Sequence, residues 1–272
     1  MFGKLMKYEM KSLSKGLIPL YGAILAVALI NSIMWSVGGN GPTSTTSMIS
    51  GLSQLTAMLV YFGLCVAIAV VTFLVVIQRF YKGLLGQEGY LMFTLPVPTW
   101  QLTLSKLVGA TIMTILSGIV GILSVIILGS VGLNLTWGAF LRGLGQLLAN
   151  WDLDMTFICI ELFLLGVVGT ASMVTDIYIA MALGHLSSKH RVAMSFVWFI
   201  VIQTALSFLT GLIGIVLGNI PAFTLFITNF FIISPIVGTH SMLWFSILVC
   251  LVETLIFYFG TTWVLKNKLN LE

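Results

Sequence analysis

Two carboxylates stand deep inside long uncharged stretches of this chain, Asp176 after Thr175 and Glu253 after Val252. An ionised side chain in such surroundings costs about 2.5 to 3.5 kcal/mol on membrane-insertion scales, so each calls for a partner or a task. Glu253 falls halfway along its stretch. At that depth an antiparallel neighbour offers Gln203 or Thr204, and a hydrogen bond from one of these to Glu253 is expected. Asp176, Gln203 and Glu253 are therefore the candidate intramembrane polar residues, serving either as ties between helices or as contacts to cargo. Glu161, toward the other end of the Asp176 stretch, is expected to reach the outer interface.

The remaining reactive residue types are poorly placed for catalysis. His185 and His190 are five residues apart and do not share a helical face, and His240 is distant in sequence, so metal binding is not expected. Cys65, Cys159 and Cys250 lie inside apolar stretches, as small packing residues and not as a disulfide or zinc framework. No Ser/His/Asp arrangement and no pair of carboxylates at one depth stands out, which argues against a membrane hydrolase. There is no G-x-x-x-x-G-K-[ST] loop to cradle nucleotide phosphates. Gly83, Gly86 and Gly89 are spaced loosely like a nucleotide fingerprint, but they follow an apolar helix and not a strand. The chain is expected to hold no catalytic residue, cofactor or metal, and not to be an enzyme.

The elements that position these residues follow from composition. Hydrophobic residues make up 59% of the 272, charged residues 7%, and mean hydropathy is +1.12. A water-soluble domain would lack a polar surface at that composition. The expected class is an all-α integral membrane protein formed as a single transmembrane domain, residues 1–272. Uncharged windows predict six spans at residues 17–37, 55–77, 107–131, 156–183, 192–217 and 242–265. The basic start is expected to lead into a retained first span and not a cleaved signal.

Charge sets the expected orientation. Alternating the gaps between two sides gathers Lys4, Lys7, Lys11, Lys15, Arg79, Lys82, Lys106, Lys189, Arg191, Lys266 and Lys268 on one face and leaves Arg142 on the other. Excess Lys and Arg marks the cytoplasmic side, so both termini are expected inside a cell membrane. The apolar stretch 219–240, with Pro221 and Pro235 near its ends, would reverse the last two lysines if it crossed. It is expected to dip into the outer leaflet as two half-helices and return. Residues 136–151 set Trp137, Phe140, Leu141, Leu144, Leu147, Leu148 and Trp151 against Arg142, Gln146 and Asn150, the pattern of an outer interfacial helix. Residues 1–16 make a basic amphipathic helix, with Phe2, Leu5, Met6 and Leu13 opposite the lysines, suited to anionic lipid. The basic residues form no patch elsewhere, so nucleic acid is not an expected partner.

The loop 78–106 is longer than a turn requires. Tyr90, Leu91, Met92, Phe93 and Leu95 are too many apolar side chains to leave in water, yet too few to span. A short helix braced on the membrane ends and shown to a cytoplasmic partner satisfies both constraints, with Pro96 and Pro98 stopping it and Thr99 capping the next helix.

The run Glu88-Gly89-Tyr90-Leu91-Met92-Phe93-Thr94-Leu95-Pro96-Val97, then Leu104-Ser105-Lys106, and the closing Lys266-Asn267-Lys268-Leu269-Asn270-Leu271-Glu272 resemble permease subunits of ABC-2 type transporters from Gram-positive bacteria. The likeness in organisation covers the chain; the motif match is confined to these stretches. The resemblance implies six spans, a coupling helix in the first inner loop (Gln87, Glu88, Gly89, Tyr90, Leu91, Met92, Phe93), re-entrant outer helices, and two permeases paired with two ATPase subunits that carry the ATP and Mg. It leaves the cargo open: hydrophobic peptide, drug or lipid-like compound.

Gly211, Gly214 and Gly218 recur at a spacing that lets helix backbones approach in lipid, as do Ala110, Thr114 and Gly118. Packing within one subunit and a subunit interface explain this equally, and the resemblance points the first set to a dimer seam with a second permease copy or a paralogue. Met34, Met58 and Phe62 are then candidate pathway residues. Two other functions compete: a proton-coupled secondary transporter using Asp176 and Glu253, for which no duplication of halves is found, and a non-transporting scaffold or sensor.

Overall fold

The computed structural model describes residues 2–38, 44–86, 89, 97–132, 142–143, 145–146, 149, 151–187, 190–222, 224–225, 228, 230 and 234–268. Its regular elements are all helical. Helix α1 spans Phe2–Gly38, α2 Ser44–Phe80, α3 Thr99–Gly132, α4 Leu153–Gly184, α5 Arg191–Gly218 and α6 Pro235–Asn267. A π-helix, Tyr81–Leu85, continues α2. All six α-helices are long and apolar enough to cross a membrane. Even α5, the shortest at 28 residues, measures about 42 Å at 1.5 Å per residue, against roughly 30 Å of hydrocarbon. Among the described residues the regular structure is all helical, with the length and apolarity of a multi-pass membrane protein.

Each helix overruns the apolar window that predicts it, for local reasons. Asp152 accepts a hydrogen bond from the Leu153 amide at 2.7 Å and caps α4 ahead of the window. α3 begins at Thr99, directly after Pro98. α1 runs unbroken through Pro19, so residues 2–16 and the first apolar stretch form one continuous helix. On that helix Leu13 is buried, Phe2, Leu5 and Met6 are half-buried, and Lys7, Lys11 and Lys15 are exposed. α6 starts at Pro235, where a proline's missing N–H leaves no intrahelical bond unmade. It takes in residues 235–240, which the sequence places in a second half-helix. Before it, residues 221–222, 224–225, 228 and 230 have helical backbone. Within 136–151 the described Arg142, Gly143, Gly145, Gln146 and Ala149 are helical, with Arg142 and Gln146 exposed.

Contacts divide the chain into two compact units. One comprises Met1–Met6, Ile77–Thr111 and Asp152–Glu272; the other, Lys7–Val76 and Ile112–Trp151. In the first, α4 packs along both α5 and α6. Every residue from Val174 to Ala182 is buried, so the second half of α4 is enclosed on all sides, whereas no residue of α5 is buried. In the second unit, Leu13, Leu17, Tyr21, Ile24 and Ala28 recur at helical spacing on one face of α1 and pack with Tyr61 and Ile68 of α2 and Met113 of α3.

Candidate functional site

Helix α4 carries Ser172 and Asp176 four residues apart, one turn along the same face. Ser172 Oγ donates to Glu253 Oε2 of α6 at 2.8 Å, and Gln203 Nε2 of α5 donates to Asp176 Oδ2 at 2.8 Å. Counted from the nearer helix ends in the α4–α5 hairpin, Asp176 lies about 12 Å and Gln203 about 18 Å along its axis. Three helices thus send polar groups to one level of the apolar bundle. The expected contact between Glu253 and Gln203 or Thr204 is not the one formed. Because α4 packs along both neighbours, it intercepts them: Gln203 turns to Asp176, Glu253 to Ser172, and Thr204 Oγ1 to Ile200 O of its own helix at 2.7 Å.

This arrangement also corrects the view that no two carboxylates share a depth. Glu253 is held by Ser172, which stands one turn of α4 from Asp176, so the two carboxyls come to neighbouring turns of the same helix. Asp176 is 6% exposed, and its Oδ1 has no hydrogen-bond partner. Neither carboxyl has an ion-pair partner among the described residues. Glu161 differs. It is buried at 5% exposure, with Oε2 2.8 Å from His240 Nδ1 of α6.

Near the end of α4, a set of aromatic contacts fixes both ends of the loop between α2 and α3. Phe80, the last residue of α2 and fully buried, stacks on Tyr178 with ring centroids 3.9 Å apart and planes 18° from parallel. Tyr178 Oη donates to Lys106 O of α3 at 3.2 Å, and Tyr258 Oη of α6 donates to Trp100 O at 2.7 Å. The helix that enters the loop and the helix that leaves it are therefore both fastened to α4 or α6. Tyr81 meets His185 edge-on, centroids 5.5 Å apart. Burial, then the charge of Arg191, holds the His185 pKa below its ordinary value, partly offset by a hydrogen bond to the Leu85 backbone. An open cleft of about 970 Å³ beside these residues is bordered by Tyr81, His190, Arg191 and Phe196.

Of the coupling residues expected from the family resemblance, Gly89 is described. It is buried, its N–H donates to Gly86 O at 2.9 Å, and a Cβ added to it would overlap the Leu84 carbonyl. Gln87, Glu88, Tyr90, Leu91, Met92 and Phe93 lie outside the described residues. Gly211, Gly214 and Gly218 are exposed, with open space where a Cβ would stand. Of the second small-residue row, Ala110 is buried while Gly118 is exposed. Met58 and Phe62 are exposed at 49% and 67%, on the surface of the single chain; the Met34 side chain lies outside the described residues. Cys65, Cys159 and Cys250 are free thiols. Among the described residues no group of three or more His, Cys, Asp or Glu side chains could hold a metal.

The second unit contains a polar ladder that sequence reasoning missed. Tyr21 Oη and Ser117 Oγ are 2.6 Å apart, Thr72 Oγ1 and Ser117 Oγ 3.0 Å, and Tyr61 Oη and Ser124 Oγ 2.8 Å. Asn31 Nδ2 donates to Ala57 O at 2.6 Å. The sequence signal was the seven-residue interval from Ser117 to Ser124, which puts both hydroxyls on one face of α3. Comparison with family models, with curated proteins and with solved structures returned no match.

Proposed function

We propose that this protein is the membrane-embedded permease subunit of an ATP-driven exporter, coupled to separate ATPase subunits on the cytoplasmic side and working as a pair of permeases in the cell membrane. The observation that carries this reading is the fastening of the loop between α2 and α3. A force applied at residues 86–98 has a short rigid path through Phe80, Tyr178, Lys106, Trp100 and Tyr258 into α4 and α6. That is the mechanical requirement for a subunit that receives its power stroke from another chain. The motif stretches of the resemblance, from Glu88 to Val97 and from Leu104 to Lys106, fall in or beside this loop. The cleft next to it adds an aromatic and basic lip at which an ATPase can dock. The exposed apolar face of α5, with Gly211, Gly214 and Gly218, suits a second permease.

The test is co-purification. Tagged full-length protein, extracted from its native membrane in mild detergent, is expected to bring down a stoichiometric nucleotide-hydrolysing subunit. Glu88→Lys and Tyr90→Ala are expected to weaken its retention or to uncouple transport from hydrolysis. Recovery of the protein with no ATPase, or wild-type coupling in both variants, refutes the proposal.

A further inference from the structure

A buried carboxyl with an unpartnered oxygen points to a ligand that the permease reading does not require. Asp176 and Glu253 are two carboxyls on facing helices: Asp176 belongs to α4, and Glu253 is held by Ser172, one turn of α4 away. What they receive is neutral: one hydroxyl hydrogen bond for Glu253 and one amide hydrogen bond for Asp176. No Lys, Arg or His of the described chain pairs with either. Other titratable or charged groups near the pair are few. α6 presents Cys250, and α5 presents Gln203, the rest of that helix after Arg191 being uncharged. Two carboxyls in an apolar bundle without a compensating positive charge are expensive to keep.

One atom shows where compensation enters. Asp176 is more than nine-tenths buried, and while its Oδ2 takes the Gln203 amide, its Oδ1 is enclosed with no partner at all. A buried carboxyl oxygen left bare is a vacant acceptor, one turn from a second acid.

We propose that Asp176, with Ser172 and Glu253, forms an intramembrane site for a monovalent cation, either a proton or a sodium ion. Oxygen donors select a hard cation. A calcium ion takes about six to eight oxygens, and magnesium demands near-octahedral geometry; with Glu253 Oε2 and Asp176 Oδ2 already taken by the Ser172 and Gln203 donors, the oxygens left to a cation fall short of that. A single positive charge satisfies Asp176 Oδ1 and removes the repulsion between the acids. The site belongs to this chain alone and needs no ATPase, so its failure and the failure of the permease reading are separate results.

The experiment uses the full-length protein in nanodiscs of neutral lipid. One arm titrates sodium chloride against choline chloride at fixed ionic strength and reads the thermal midpoint. The other records the infrared carbonyl stretch of protonated carboxyls in water and in heavy water. Wild type is expected to respond in one arm: a saturable sodium-dependent rise in midpoint, or a protonated-carboxyl band. Asp176→Asn or Glu253→Gln is expected to abolish that response and Ser172→Ala to weaken it, while Glu161→Gln leaves it intact. The wild-type measurements decide even where a variant does not fold. Neither response in wild type, a rise produced by divalent ions alone, or a response that survives both Asp176→Asn and Glu253→Gln overturns the proposal.

Discussion

Tyr178 joins the loop to the bundle by two separable interactions, and removing them one at a time measures how the loop is held. Tyr178→Phe deletes the hydroxyl that donates to Lys106 O but keeps the ring against Phe80. Hydrogen bonds between helices in a membrane average about 0.6 kcal/mol and reach about 1.7, so the variant is expected to lose no more than that. Tyr178→Ala also removes a ring that is 2% exposed and leaves a void against the fully buried Phe80; truncating a buried aromatic costs about 3 to 5 kcal/mol. Phe80→Ala is expected to cost a similar amount. Because the two rings touch, the double variant should fall short of the sum by about 0.5 to 1.5 kcal/mol, the coupling of an aromatic pair. Unfolding of the full chain in mixed micelles with increasing sodium dodecyl sulfate, followed by circular dichroism, gives the four values. If Tyr178→Phe costs as much as Tyr178→Ala, or the double variant is strictly additive, then the stack does not fasten the loop.

Stability should fall as pH drops below about 6.5, the ordinary histidine value, because the unfolded chain then takes up a proton that buried His185 resists; the loss levels off once the pH passes the lowered folded value. His185→Gln should flatten that part of the profile in pH-dependent unfolding. Gly184→Val is expected to lose at least about 1 to 3 kcal/mol, since a Cβ there collides with the Ser195 backbone, and wild-type stability in an unfolding titration would show that the α4–α5 approach is looser than described. Gly214→Leu has open space around it, so it should leave monomer unfolding unchanged while reducing chemical cross-linking between copies; undiminished cross-linking would remove α5 from the dimer seam. Tyr21→Phe, which loses its bond to Ser117, should cost about 0.6 to 1.7 kcal/mol in the same unfolding titration; a loss near zero would mark the ladder as incidental.

The helices were legible because lipid allows few spanning structures: 18 or more apolar residues in a row read as a helix whatever their neighbours. Their ends were not, since Asp152, Pro98 and Pro235 act through caps and backbone donors that an apolar window ignores. The sequence singled out Asp176, Gln203 and Glu253, because a polar group in an apolar stretch is conspicuous alone. Their pairing was not legible. It depends on which helix lies between the other two, and nothing in the spacing of Glu253 from Gln203 says that α4 stands in the way. Ser172 was missed for the same reason, an ordinary serine until a carboxyl from 81 residues away comes to it. The ladder around Tyr21, Thr72 and Ser117 depends likewise on three helices meeting.

Two contacts of α5 with α4, the close approach of Ser195 to Gly184 and the hydrogen bond from Gln203 to Asp176, both fall in the first half of α5. Beyond them the helix is exposed to Gly218 with no buried residue. Mechanically this is a cantilever, pinned at its root and free at its tip. A change in bilayer thickness is met most cheaply by tilting such a beam, so the lipid mixture around the protein sets the angle of α5. Membranes of different thickness should therefore present different α5 surfaces to whatever lies alongside.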